Sequence, residues 1–238
     1  MAAATESTPW IAMYHSVGDC SEDPYRVTVT PDRLDRQLSW LRRRGLRGVS
    51  VSALLAAPTR AGLVGLTFDD GYADFLDHAL PVLTSHGFGA TLFVLPGRPG
   101  GDNAWDPLGP RKPLLTADGI REAAEAGVEI GSHGLTHRDL TRADDVTLKS
   151  EVVESRAVLE DLTGTPVAGF CYPYGTLDRR TVDAVRDAGY SYACAIDPGG
   201  FNGPLALPRV HIGQHDTAVR LFLKYRLHRL RRRPVEGI

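Results

Sequence analysis

The chain has 238 residues, 42% hydrophobic, 24% charged and 8% aromatic, with a formal net charge of -2 at pH 7. That describes one soluble globular domain spanning 1–238, and neither the charge balance nor the aromatic content favours nucleic acid as a partner. Cys20, Cys171 and Cys194 are odd in number and widely scattered without CxxC spacing, which speaks against both a disulfide framework and a thiolate metal site. The first residues have no basic n-region and no long apolar h-region, so no signal peptide or transmembrane helix is read and a cytoplasmic location is expected.

In chain order, an apolar run at 10–14 predicts a strand that delivers His15 to a polar loop containing Gly18, Asp19 and Pro24. Thr30-Pro31-Asp32 opens a helix with proline in its first turn, and Leu34, Leu38 and Leu41 recur at helical spacing until Gly45. Arg42, Arg43 and Arg44 sit where positive charge suits the helix dipole. Residues 63–68 read as a buried strand ending in Thr67-Phe68-Asp69-Asp70-Gly71-Tyr72. Side chains alternate along a strand, so Asp69 and Asp70 share a site only if the backbone turns there, and Gly71 permits that turn.

A helix at about 73–86 follows, with Pro81 placed to kink it, then a strand at 90–94. The Gly/Pro-rich stretch 96–113 is long for a loop in a compact domain and is expected to border a substrate groove. Thr116 caps a helix ending at Gly127, and a strand at 128–130 leads into Gly131-Ser132-His133-Gly134-Leu135-Thr136-His137. Leu148, Val152, Leu159 and Leu162 mark an amphipathic helix closed by Gly164. A strand at 167–171 runs into Tyr172-Pro173-Tyr174-Gly175, and a helix at 178–188 and a strand at 190–196 complete the pattern. Regular alternation without repeats predicts a single α/β domain with a parallel, barrel-like sheet.

Adjacent carboxylates repel unless a cation takes one and leaves the other free as a base. The i, i+4 pair His133 and His137 shares one face if that segment makes a helical turn, and one Asp with two His is a catalytic rather than a structural donor pattern. Alone, Asp-Asp-Gly is ordinary turn chemistry and HxxxH is weaker still. Both following predicted strands, where α/β folds carry function, is what joins them.

Thr67 to Gly71, Ser132 to His137 and Tyr172 to Gly175 resemble, in this order, the motifs of the polysaccharide deacetylases, carbohydrate esterase family 4, which share the NodB homology domain. The resemblance covers roughly residues 10–211. It implies a single distorted, seven-stranded (β/α) barrel and a metal-dependent hydrolase that removes acetyl groups from N-acetylated sugars. By that similarity Asp69 is the general base, Asp70, His133 and His137 hold the metal, and the Tyr174 backbone amide faces the oxyanion. Zinc suits the Asp/His₂ set, with nickel and cobalt chemically acceptable. Such a metal makes a water nucleophilic and polarises the carbonyl, and a further acid must protonate the departing nitrogen.

The family's usual histidine motif lies near the C-terminus, whereas here Met13-Tyr14-His15-Ser16-Val17 follows the first predicted strand. That resembles the circularly permuted poly-N-acetylglucosamine deacetylases and makes His15 the first candidate for the acid, with His211 the runner-up. Cys171 stands where many members carry the arginine that orients the base, and Arg209 is a substitute for it. Trp105 either stacks on a sugar or anchors the loop. Three readings follow: a deacetylase acting on an N-acetylated sugar, oligosaccharide or glycoconjugate, an amidase acting on a small non-sugar C–N bond, and a glycan binder without activity. The basic tail at about 216–238 either contacts an anionic membrane peripherally or docks its leucines on the barrel.

Overall fold

The computed structural model describes residues 9–228. Ile11–Tyr14 (β1) leads into a two-stranded ribbon of Ser16–Val17 (β2) and Thr28–Val29 (β3). Pro31–Arg43 (α1) starts where the Thr30 hydroxyl accepts the Arg33 amide. Arg47–Val49 (β4), Val51–Ala56 (α2) and Leu63–Phe68 (β5) follow. The predicted helix at 73–86 proves to be two geometries: a π-helical turn, Phe75–Ala79, and then Leu80–His86 (α3). The helix runs on through both, with Pro81 just after the π-helical turn.

Thr91–Val94 (β6), Ala117–Glu125 (α4) and Glu129–Ser132 (β7) come next. Asp145–Lys149 (α5) and Ser155–Thr163 (α6) are joined through a second π-helical turn, Ser150–Glu154. Gly169–Cys171 (β8), Arg179–Asp187 (α7), Tyr192–Ala195 (β9), Leu207–Pro208 (β10), Val210–His211 (β11) and Ala218–Leu227 (α8) complete the order. Arg229, Arg231, Arg232 and Arg233 of the predicted basic tail lie outside the described residues. Among the described residues no helix is long and apolar enough to cross a membrane.

The main sheet is parallel throughout, in the order β10-β9-β8-β7-β6-β5-β1-β11. Its two ends are consecutive in sequence. Leu207 and Pro208 pair with β9, the chain passes Arg209, and Val210 and His211 pair with β1, so one segment closes the barrel. Counted once, that segment makes the ring seven-stranded, and β4 adds an eighth strand along the first half of β5.

Strand alternation divides the apolar residues into two layers. Ile11, Phe93, Tyr192, Cys194 and Leu207 fill the barrel, while Tyr14, Leu66, Phe68, Leu92 and Phe170 face the helices. The bore is narrow, and glycines make room for its large rings: a Cβ at Gly131 would lie 2.5 Å from Phe93, and one at Gly169 2.2 Å from Tyr192. Gly169→Ala is therefore expected to cost about 1–3 kcal/mol, read as a lower thermal midpoint by circular dichroism. Glu129 closes the bottom of the barrel, accepting hydrogen bonds from Tyr192 Oη (2.9 Å), Thr91 Oγ1 (2.7 Å) and the Ser52 hydroxyl.

Candidate active site

The opposite end of the bore carries the polar residues, and the strand period explains which ones. His15, Asp69 and His133 each lie one residue past a strand end, in phase with the inward positions Met13, Thr67 and Gly131. The ladder runs on to meet them: the Asp69 amide donates to Tyr14 O (3.0 Å) and the His133 amide to Val94 O (2.9 Å). In the same phase Asp70 would point outward. The chain instead turns at Asp70 itself, whose φ is 72°, and continues through Gly71 at 68°, so both carboxylates reach one site.

Asp70, His133 and His137 are buried, and their donor atoms lie within 4.8 Å of one another. Asp70 Oδ1 is 3.2 Å from His133 Nε2 and 3.4 Å from His137 Nε2. Burial works to raise the Asp70 carboxyl, but the hydrogen bonds of His133 and His137 override it and hold it well below the usual carboxylate range. His133 Nδ1 is fixed at 2.8 Å by the Cys171 carbonyl, which aims Nε2 at Asp70. One carboxylate and two imidazoles converging on an open pocket are a donor set that fits a divalent cation.

The expected helical turn from His133 to His137 is absent. Gly134 has φ 79° and His137 φ 66°, values that a right-handed turn forbids, and the loop doubles back to bring the rings together. Glu151 holds it in place: Oε2 accepts the amides of Leu135 (2.7 Å) and Thr136 (2.9 Å), and Oε1 accepts the Thr136 hydroxyl. Sequence reasoning missed Glu151, although an acid in the apolar stripe of Leu148, Val152 and Leu159 was the signal. Glu151→Gln removes one charged acceptor from this clamp and is expected to weaken metal affinity about 10–100-fold, measured by competition with a zinc chelator.

Beside this set Arg209 grips Asp69 with two bonds, Nη1 to Oδ1 at 2.6 Å and Nη2 to Oδ2 at 2.7 Å. Thr67 Oγ1 accepts a further bond from Nη1 (3.0 Å), and Nη2 lies 3.0 Å from Cys171 Sγ. The small Cys171 side chain leaves room for the guanidinium, which an arginine at both positions would not. Burial works against the Asp69 carboxylate, but the charge and hydrogen bonds of Arg209 outweigh it and keep the carboxyl below its usual range. Burial pushes the Cys171 thiol up, so it stays protonated.

His15 Nε2 is 3.9 Å from Asp69 Oδ2 and lines the same pocket. His211 lies behind it, its ring centroid 6.2 Å from that of His15, and opens on a neighbouring cavity instead. Tyr174 sits in a 3-10 turn with φ 59°, its ring half-exposed and edge-on to His137 at 4.6 Å. Trp105 stacks on His137 at 4.3 Å with Arg98 5.7 Å from its centroid, so it packs against the Asp70, His133 and His137 set. Its neighbour Asp106, also missed in the sequence, lines the pocket, and burial near Asp70 pushes its carboxyl up to about 6. Of the four non-glycine residues with positive φ among the described residues, Asp70, His137 and Tyr174 are all here, which locates backbone strain at the site.

The pocket measures about 190 Å³, with Tyr25 and Tyr174 at its rim. Among known proteins, YxkH of Bacillus subtilis (strain 168), assigned to the polysaccharide deacetylases, is 27% identical over 210 residues, covering 85% of this chain and 70% of its own. The poly-beta-1,6-N-acetyl-D-glucosamine N-deacetylase of Escherichia coli (strain K12) is 23% identical over 86% of this chain, which spans 36% of that protein. A Streptococcus pyogenes deacetylase in complex with acetate superposes with a TM-score of 0.75 at 25% identity, covering 91% of this chain and 97% of that one. The polysaccharide deacetylase family profile matches residues 56–193, a span that holds both the Asp69-Asp70 turn and the histidine loop. Covering more than half of the chain, that match makes this protein a member of the polysaccharide deacetylase family.

Proposed function

We propose that this protein is a metal-dependent hydrolase that removes the N-acetyl group from an amino sugar or a sugar-containing conjugate. The observation that carries the reading is the pairing of Asp69 with Arg209 directly beside the Asp70, His133 and His137 cradle, at the floor of one pocket. Asp70, His133 and His137 would hold the cation, zinc by donor type, which when bound polarises the amide carbonyl and lowers the pKa of a water.

The remaining work belongs to the chain. Arg209 occupies one lone pair on each Asp69 oxygen, leaving the carboxylate oriented and ionised to take a proton from the attacking water. His15 would return a proton through Nε2 to the departing nitrogen, a role for which its pocket-lining position favours it over His211. Its place just past the first strand, which pairs with the closing segment, supports the permuted arrangement of the barrel. The Tyr174 amide would face the oxyanion. The half-exposed rings of Tyr25 and Tyr174 offer apolar faces to a pyranose, and Asp106 an acceptor for its hydroxyls.

The test is acetate release from a panel of N-acetylglucosamine oligomers and small non-sugar amides by zinc-reconstituted protein. Release from the sugars, lost in Asp69→Asn, is the expected result. Release from the small amides alone would replace this reading with an amidase, and none from either, with zinc bound, would leave a glycan binder. His15→Ala is expected to lower kcat by about 10²–10⁴ while His211→Ala changes it little, and the reverse order would exchange their roles.

A further inference from the structure

We propose that the outward face of α8 docks on an anionic lipid bilayer. This helix is already anchored to the barrel by its inward face. Leu221 is buried, the Tyr225 ring lies 5.0 Å from Trp10 and 6.5 Å from Trp40, and Lys224 Nζ donates to His211 O (2.6 Å) and Asp216 Oδ2 (2.5 Å). A helix held this way normally turns polar residues outward. Here the outward stripe is apolar: Val219, Phe222, Leu223 and Leu227 recur at i, i+3, i+4 and i+8 and are 40% to 68% exposed. Scattered exposed leucines need no explanation, but an aligned stripe calls for an occupant.

Charge identifies that occupant. The guanidinium of Arg44, at the end of α1, lies 4.5 Å from the Trp40 centroid and 5.2 Å from that of Phe222, with Arg226 6.0 Å from Phe222 on the same helix. Arg220 and Arg226 are exposed on α8 itself. From residue 217 to 233 the sequence carries arginines and a lysine but no acid, in a chain whose net charge is -2. A second copy seated on this face would set one basic rim against another, which opposes self-association. A bilayer accepts both parts, apolar rings entering the acyl boundary and guanidinium groups resting among anionic headgroups.

The experiment is co-sedimentation of the full chain with vesicles of phosphatidylcholine alone or mixed with phosphatidylglycerol, at low and high salt. Binding to the mixed vesicles, weakened by salt and reduced roughly tenfold or more by Phe222→Ser with Leu223→Ser, is expected. These side chains are solvent-exposed, and an unchanged thermal midpoint would show that the variant is folded. Arg44→Gln with Arg226→Gln should weaken binding to the mixed vesicles alone. Four results would each overturn the proposal: equal binding to both vesicle types, binding to neither, binding undiminished in the Phe222, Leu223 variant, or a dimer that this variant dissolves.

Discussion

Dialysis against a strong chelator is expected to lower acetate release by at least about a thousandfold, and zinc to restore it. The donor set gives the reason: Asp70, His133 and His137 are buried around one point, with both Nε2 atoms within 3.4 Å of Asp70 Oδ1. A cation there also ties β5 to the loop after β7, so its effect reaches beyond activity. At a concentration a thousand times its dissociation constant it would stabilise the fold by about 4 kcal/mol, visible as a rise in thermal midpoint that His137→Ala abolishes. Full activity in a sample shown by elemental analysis to be free of metal would sink both the cradle and the reaction assigned to it.

Arg209→Met is expected to damage stability and chemistry together. The guanidinium is the only cation bonded to the buried Asp69 carboxylate among the described residues, and losing one partner of such a pair costs about 3–5 kcal/mol. The pH dependence separates this from simple misfolding. In the native protein Asp69 is held low, so its stabilising contribution is present above the ordinary aspartate range and is lost as pH falls through its lowered value. Without Arg209, burial dominates and the carboxyl rises. The variant should then gain stability relative to wild type as pH falls, and the acid limb of its kcat profile should move to higher pH. An unmoved acid limb in a folded variant would remove Arg209 from any role in setting the base.

How much the sequence could say depended on which force decided each feature. The strands of the ring and most helices were legible because alternating or 3.6-residue apolar patterns reflect burial directly, and Thr30, Gly45 and Gly164 mark helix ends. The ribbon of β2 and β3 is two residues wide and has no pattern to detect. At the site, residue types were legible and conformations were not. The spacing of His133 and His137 fits a helix face, yet Gly134 and the buried Glu151 impose a left-handed loop. Arg209 was suspected from the missing arginine at Cys171, but its grip on Asp69 depends on a closing strand 140 residues away in sequence. Glu151 and Asp106 act through partners that only the tertiary fold supplies.

The closure of the barrel by residues 207–211 ties catalytic competence to the order of folding. β1 finds its second neighbour only when β11, which follows every other strand of the ring in the chain, has emerged. Until then β1 and β9 each keep an unpaired edge, and the late pairing makes this a topology of distant contacts that forms slowly. The residue crossing that seam is Arg209. A nascent chain that has not yet closed therefore has its aspartates without the cation that orients one of them, and closing the ring would also set the proposed base.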